Sequence, residues 1–460
     1  MQPAVPELIA ACCPPGAEIE IINEKERDVP LDRHWDLVFF SYLDPFYEHT
    51  KVLSTLFRTR GMTTVAGGRH ASLFAEDCLD YFDAVVVGEP EANVPRVVAD
   101  FERRQLGRVY RHAAVPAADI PSYRYDLVDL HTNRFHAPSL EASRGCPYSC
   151  NFCVLTGRET YRYRPVPLVV RDIERMRWNR HFFGVAKDTF MFYDNNLGGS
   201  PRYLTELCEA LIPLKRTWGC SLTFNVLEDE RLVELLARAG CRFIYTGLES
   251  LNPESIEAMN KRQNRLRQLA DVVERTYRNG ILLSIGLVIG SDGDTNASLE
   301  RIPEYLGELR LFSIMFLGIV CPYPGTPYYA QVMREGRMLP GVTSRDLDTY
   351  TLCHRPAQLE PSEVADHYRR LCRSLGSLSN VVRHCGSKFG LSDRPGYKPG
   401  LLVTSLEILG HRRNLSRRTF IAGQDPIEAW DAAMMDELGL EPQRIGQVEA
   451  GPLPLRVVAG

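Results

Sequence analysis

Ser143-Arg-Gly-Cys146-Pro-Tyr-Ser-Cys150-Asn-Phe-Cys153 places three cysteines within eight residues, spaced C-x3-C-x2-C. The cysteines directly follow a stretch at 139–143 that reads as a strand, so the three thiols share one strand-end loop. Three thiolates on one loop can hold three irons of a [4Fe–4S] cluster. No fourth cysteine follows locally, which leaves one iron an open position where a substrate or cofactor can ligate and receive an electron. Structural zinc is the alternative, but it prefers four closed ligands in two pairs. Here His136 is the only nearby candidate and no second pair exists. The other cysteines, of thirteen in all, stand mostly alone in apolar contexts such as the Leu-Thr-Glu-Leu-Cys-Glu-Ala-Leu stretch around Cys208. They read as small buried hydrophobes of a reducing compartment.

Outward from this loop, short apolar runs alternate with helical patterns. Strands are expected at 139–143, 189–193, 221–225, 243–246, 282–288 and 313–319, with helices at 166–178, 201–213, 229–238, 264–279 and 295–309. Six strands each followed by a helix predict a partial (β/α)6 barrel, whose chemistry sits at the C-terminal strand ends. Upstream, strands at 36–41, 62–66 and 83–87 alternate with helices at 47–59 and 91–104, as in a Rossmann-like parallel sheet. Ligands of such sheets bind beyond the carboxyl ends of the strands, which here carry Ser41, Gly67, Gly68, Gly88 and Glu89. The plainer reading is that these glycines only make tight turns. Residues 111–137 are Pro- and Ala-rich and read as a linker, and beyond about 340 the pattern turns helical and basic. The expected α/β organisation is thus a Rossmann-like domain over 1–110, a linker over 111–137, a barrel over 138–338 and a mainly helical C-terminal subdomain over 339–460.

Composition agrees with a multidomain globular chain. Its 460 residues exceed the ~100–200 of one ordinary domain, and 44% are hydrophobic. Lys+Arg number 54 against 58 Asp+Glu, a formal net charge of −4, so no global basic field exists to attract duplex nucleic acid. No run approaches the ~18 apolar residues of a transmembrane segment. The N-terminus lacks a basic region ahead of an apolar stretch. A cytoplasmic protein is expected.

The cysteine motif, with an aromatic (Phe152) before its last cysteine at the mouth of a six-unit barrel, resembles the radical S-adenosylmethionine (SAM) superfamily. The resemblance implies that the open iron chelates the amino and carboxylate groups of SAM. Reductive cleavage would then give a 5′-deoxyadenosyl radical. Other segments match the superfamily. Tyr193-Asp194-Asn195-Asn196 falls where the family places polar groups near the SAM amino group, Asp194 and Asn195 being the candidates, although such residues also cap helices. Asn225 ends the third expected strand. Glu249, in Gly247-Leu-Glu-Ser250, falls near the SAM ribose or amino acid moiety in similar proteins, or else caps the next helix. Gly286 and Val288 belong to a glycine-containing segment whose backbone flanks adenine in the family. Arg162 and Arg164 are candidates for neutralising a cofactor carboxylate, or are simply solvated.

The upstream strings Val65-Ala-Gly-Gly-Arg-His70 and Asp83-Ala-Val-Val-Val-Gly-Glu89-Pro-Glu91 resemble the cobalamin-binding domain of B12-binding radical SAM proteins. With Tyr125-Asp-Leu-Val-Asp129, the resemblance spans roughly 20–335. The barrel, including Pro322-Tyr-Pro-Gly-Thr-Pro327, resembles the subgroup of the hopanoid methylases. Two features depart from the pattern. In place of D-x-H-x-x-G the chain has Asp32-Arg-His34 with Leu37 at the glycine position, which argues against His34 as a cobalt ligand. The family's first strand looks truncated or lost.

The resemblance implies a [4Fe–4S] cluster, SAM and cobalamin, with C-methylation of a small-molecule or lipid-like substrate and an external one-electron reductant of the flavodoxin or ferredoxin kind. The alternatives are radical rearrangement, cyclisation, oxidation or C–C or C–S bond formation without methyl transfer, or RNA modification. The C-terminal basic stretch (His411-Arg-Arg413, Arg417-Arg418) is short for the last of these. Cys321 and Tyr323, leaving the sixth strand, are candidate hydrogen or proton donors, or loop packing. No catalytic residue, substrate or oligomeric state follows from spacing.

Overall fold

The computed structural model describes residues 5–24, 28–128, 137–156, 160–176, 188–390, 397–411, 420–422 and 429–445. His136, Asp129, residues 177–178 of the expected helix and the arginines at 412, 413, 417 and 418 lie outside them. The chain folds into two compact units, each discontinuous. One comprises Arg134–Cys321 and Thr349–Ile421 with the first two residues. The other comprises Pro3–Asn133, Pro322–Asp348 and Ala422–Gly460. Residues 339–460, expected as one helical subdomain, are therefore shared between the units.

The N-terminal unit holds a parallel sheet of β1 (Leu37–Ser41), β2 (Thr63–Gly67), β3 (Ala84–Val87) and β4 (Val109–Arg111), in the order 1-2-3-4. Helices Tyr47–Thr59 and Pro90–Glu102 alternate with the strands as expected. β4 begins two residues ahead of the expected linker, and its three residues are too few for a pattern to declare. Among the described residues no strand precedes β1. The order never reverses, so this sheet has no switch point of the doubly wound kind. Val65, Ala66, Ala84, Val85 and Phe82 are fully buried, as strands covered on both faces should be. The C-terminal segment is fastened to this unit by charge. Buried Lys51 pairs with Glu48 at 2.7 Å and donates to the Glu441 carbonyl, while Glu48 accepts from the Gln443 amide and the Ser344 hydroxyl.

The barrel unit holds a parallel sheet of six strands: β5 (Ser139–Leu140), β8 (Thr189–Phe192), β9 (Thr217–Ser221), β10 (Cys241–Glu249), β11 (Leu282–Ile289) and β12 (Ile314–Ile319). Between β5 and β8 lies an antiparallel ribbon of β6 (Ser143–Arg144) and β7 (Arg162–Tyr163). The sheet runs β5-β8-β9-β10-β11-β12, each strand beside its successor, which is the partial barrel expected. Residue parity divides its faces. Phe190, Phe192, Trp218, Cys220 and Ile244 are at most 1% exposed. The alternate positions Met191, Phe243, Tyr245 and Phe316 are only half-buried and line the concave side. That side is crowded with glycines because large neighbours lie over them: a Cβ on Gly219 would meet the Met191 sulfur at 2.8 Å, and the Tyr245 hydroxyl lies over Gly286.

Two strands differ from expectation: the first stops at Leu140, its Ser143 passing into the antiparallel ribbon. The third lies at 217–221 rather than 221–225, because it pairs from Thr189↔Thr217 onward and the chain then turns through a 3-10 helix, Phe224–Glu228. The uncharged run Thr217–Phe224 gives no internal sign of where pairing stops.

Of the glycines at the carboxyl ends of the N-terminal strands, Gly68 is fixed by packing. Its φ is +95°, and a Cβ there would lie 2.6 Å from the Tyr42 carbonyl oxygen. Gly68→Ala should therefore lower stability by about 1–3 kcal/mol, read as a reduced urea midpoint for the intact protein.

Candidate functional site

The cysteine loop leaves β6 at the carboxyl end of β5. Two anchors fix it. The first is Asp194, just past β8: its carboxylate accepts from the Ala142 amide at 3.2 Å, from the Ser143 amide and from the Ser143 hydroxyl at 2.6 Å. These residues stand just ahead of Arg144-Gly145-Cys146, where the cysteines begin. The second is the segment 258–264 after β10. The Asn151 side chain donates to the Ala258 carbonyl at 2.7 Å, its amide donates to the Met259 carbonyl at 3.1 Å, and Asn260 donates to the Ser149 carbonyl at 2.8 Å. Gly145 (φ +78°) makes the bend, with the Thr160 carbonyl 3.0 Å from where a Cβ would sit.

The three thiols lie within electrostatic reach of one another, and Cys150 and Cys153 within reach of the Lys261 ammonium. Burial pushes the Cys150 thiol up, and it pushes Cys153 up to about 11. Yet each sulfur has an N–H directed at it: Asn196 Nδ2 to Cys146 at 3.8 Å, Gln263 Nε2 to Cys150 at 3.4 Å, and the Leu155 amide to Cys153. Buried thiols supplied with donors suit thiolates whose charge is balanced by bound metal. Among the described residues no three His, Cys, Asp or Glu are grouped to hold a metal ion; by its chemistry alone, a set of three thiols from one loop with no fourth cysteine beside them suits an iron–sulfur cluster better than closed four-ligand zinc.

Around the loop, Glu249 closes β10 at φ +67° and pairs with Lys261 at 2.5 Å, both side chains 10% exposed. It caps no helix; Asn252 does that. Burial would depress the Lys261 ammonium, but Glu249 and the thiols outweigh it and hold it above its ordinary value. Its Nζ lies 5.9 Å from the Phe152 ring centre. Asn225 sits on the 3-10 turn beyond β9, with a buried Oδ1 that has no partner. Gly286 and Val288 lie on the concave side, as does Ser284, whose buried hydroxyl is also unpartnered. Asn195 is exposed and Asp194 is 3% exposed.

Two expectations change. The Asp194 carboxylate is engaged by backbone and serine and caps nothing, so its place is in holding the loop. Arg164 is 1% exposed, paired with Asp172 at 2.5 Å and donating to the Glu141 carbonyl, so it is a structural ion pair. Asn196 was quoted with its segment but not singled out, and Lys261 and Gln263 were missed; the one signal of these two was a polar run, Asn260-Lys-Arg-Gln-Asn264, that continues no helical period.

In the N-terminal unit, Ser41, Gly67, Gly68, Gly88 and Glu89 gather along one carboxyl edge, Ser41 opposite Gly67 in the register. A Cβ on Gly88 (φ +91°) would meet nothing within 4 Å, so that part of the edge is open. His70 beside it is fully buried, stacked on Tyr47 at 4.1 Å, with Nε2 unpartnered. His34 is exposed and precedes β1, at the opposite edge. Tyr323 stacks on the Arg69 guanidinium at 4.1 Å, and Cys321 is 3% exposed after β12, as packing would have them.

A parallel partial barrel with a three-cysteine loop at its mouth defines a class, and residues 140–306 match the profile of the radical SAM superfamily. Residues 140–306 thus carry a radical SAM domain. It is 26% identical over 338 residues to bacteriochlorophyllide d C-12(1)-methyltransferase of Chlorobaculum tepidum, covering 72% of each chain. It is 23% identical to hopanoid C-2 methylase of Rhodopseudomonas palustris over 72% of this chain and 64% of that one. The fold is that of the methyltransferase TsrM from Kitasatospora setae (TM-score 0.63, 15% identity, 90% of this chain and 96% of that). No helix among the described residues is long and apolar enough to cross a membrane.

Burial, together with the nearby Glu141, lifts the Asp194 carboxyl to about 7, although its Ser143 bond acts the other way. A carboxyl raised above its unfolded value favours folding below that value, and the favour fades as pH rises to about 7. The stability advantage of the metal-free protein over Asp194→Asn should thus be largest near pH 4 and smallest above pH 7. Urea midpoints of both proteins across that range check the sign.

Proposed function

We propose that this protein is a cobalamin-dependent radical SAM methyltransferase acting on an unactivated carbon of a small, largely apolar molecule. The observation that carries the reading is the cysteine loop, with three donor-supplied thiols at the carboxyl mouth of a parallel barrel and no fourth cysteine beside them. When bound, a [4Fe–4S] cluster supplies the electron that splits SAM, and cobalamin carries the methyl group to be transferred.

Cys146, Cys150 and Cys153 hold the cluster. Phe152 and the Glu249–Lys261 pair stand beside it, where an ammonium and a carboxylate of opposite sign can orient the amino acid end of SAM. Asn195 and the unpartnered Oδ1 of Asn225 are further polar groups for the same ligand, and Gly286 and Val288 give its base a flat wall. Asp194 acts through the loop it brackets. In the N-terminal domain, over about 1–110, Ser41, Gly67, Gly68, Gly88 and Glu89 form the edge that receives the corrin. The linker at 111–137 leads from there to the barrel at 138–338. The half-buried Met191, Phe243, Tyr245 and Phe316 leave an apolar interior from which a reactive species is shielded from water. The reductant is an external one-electron protein of the flavodoxin or ferredoxin kind, in the cytoplasm.

A second reading has one specific support: anaerobic magnesium-protoporphyrin IX monomethyl ester cyclase of Cereibacter sphaeroides is also a relative, 25% identical over 308 residues. In that reading the radical chemistry proceeds without methyl transfer.

Anaerobic reconstitution with iron, sulfide, SAM and cobalamin separates the two. The methyltransferase should retain about four irons and a corrin per chain, and should release both 5′-deoxyadenosine and S-adenosylhomocysteine. Deoxyadenosine alone, with no corrin retained, selects the second reading. Alanine at Cys146, Cys150 and Cys153 together should abolish iron retention and both products, measured by iron assay and mass spectrometry.

A further inference from the structure

We propose that Gln263 and Asn196 are positioning residues that set the reduction potential of the cluster, each by donating an N–H···S hydrogen bond to one of its cysteines. The inference rests on the cluster reading above. The donors reach the loop from separate parts of the barrel: Asn196 follows β8, and Gln263 lies in the segment after β10. They address different sulfurs, Asn196 to Cys146 and Gln263 to Cys150, while the loop's own Leu155 amide serves Cys153.

What else they touch fixes the Asn196 amide and the turn that carries Gln263. The Asn196 Oδ1 accepts from the Thr223 amide at 3.3 Å and its hydroxyl at 3.4 Å, which leaves the Nδ2 end for sulfur. Gln263 stands in a tight turn closed by the Asn264 amide on the Lys261 carbonyl at 3.1 Å, and Asn264 is tied in turn to the Gly247 and Leu248 carbonyls of β10. Asn196 is 1% exposed and Gln263 9%. Water therefore does not compete for either amide, and a dipole in such a place acts more strongly than on the surface.

The physical consequence has a definite sign. Adding an electron to a thiolate-bound cluster concentrates negative charge on its sulfurs. An N–H aimed at a sulfur stabilises the reduced state more than the oxidised one and so raises the potential. The Lys261 charge acts in the same sense, but Glu249, 2.5 Å away, cancels much of it. The two side-chain amides, beside the loop's own Leu155 amide, are left as the local control. A superfamily member must present its electron to a sulfonium that is hard to reduce. The pair keeps the resting cluster within reach of a biological donor.

The test is an EPR-monitored redox titration of the reconstituted protein, without SAM or substrate. Gln263→Leu should keep its iron and sulfide yet titrate at a more negative midpoint than wild type. Gln263→Glu, which replaces the donor by a charge, should shift it further the same way. Asn196→Leu should also move it negative, and the double variant Gln263→Leu/Asn196→Leu should move it furthest. A cluster-bearing Gln263→Leu with the wild-type midpoint overturns the proposal. Where a variant fails to hold iron, resonance Raman of the wild-type protein in H2O and D2O decides instead. The Fe–S(Cys) modes should shift on exchange if exchangeable N–H groups bond to the sulfurs, and no shift overturns the proposal. Wild-type protein that binds no iron at all would instead remove the cluster reading beneath it.

Discussion

The buried carboxylate of Asp194 is the constraint on which the site depends. It gathers the amides of residues 142 and 143 and the Ser143 hydroxyl at the point where the sheet gives way to the cysteine loop. A loop of this length has no secondary structure to hold three thiols in one orientation, and ordering it carries a large entropic cost. The structure meets that cost from both sides. Asp194 secures the loop's entry, and residues 258–264 secure its middle through Asn151 and Asn260. The site is thus a joint between the early and late strands of the barrel, and the sheet's parallel order is what brings the two together.

How much of this the sequence could reveal follows from the kind of interaction involved. The five helices of the barrel and most of its strands are legible because their burial imposes periodicity, and three strands of the N-terminal sheet are legible for the same reason. The cysteine spacing is legible because local chemistry needs it. The third barrel strand slipped by four residues because its uncharged run is longer than the pairing it makes. Asp194 and Arg164 were read as ligand-facing groups. Nothing in their neighbours announces that one holds backbone amides and the other a buried carboxylate. Gln263 was invisible for a related reason: it lies 113 residues from the sulfur it meets, and only the fold makes them neighbours.

The two glycines before Arg69 show how an apparent ligand motif divides on inspection. Gly67 leaves ordinary room for a side chain, whereas Gly68 is pressed against the Tyr42 carbonyl in a conformation that suits glycine alone. Gly88, by contrast, faces open space at a left-handed φ. One edge of the sheet therefore mixes a residue fixed by internal packing with one whose surroundings leave room for a ligand. The pattern by itself does not separate them.

The N-terminal unit is assembled from three stretches of chain, the last beginning at Ala422. Its buried Lys51–Glu48 pair meets the Ser344 hydroxyl from the middle stretch, and finds the Glu441 carbonyl and the Gln443 amide only when that final stretch arrives. During synthesis, then, the first sheet to leave the ribosome must wait for almost the whole polypeptide before its charges are covered. No single cut can excise it as an autonomous piece. Gene fusions or truncations that remove the last forty residues would strand a naked ion pair in a domain whose own strands were finished hundreds of residues earlier.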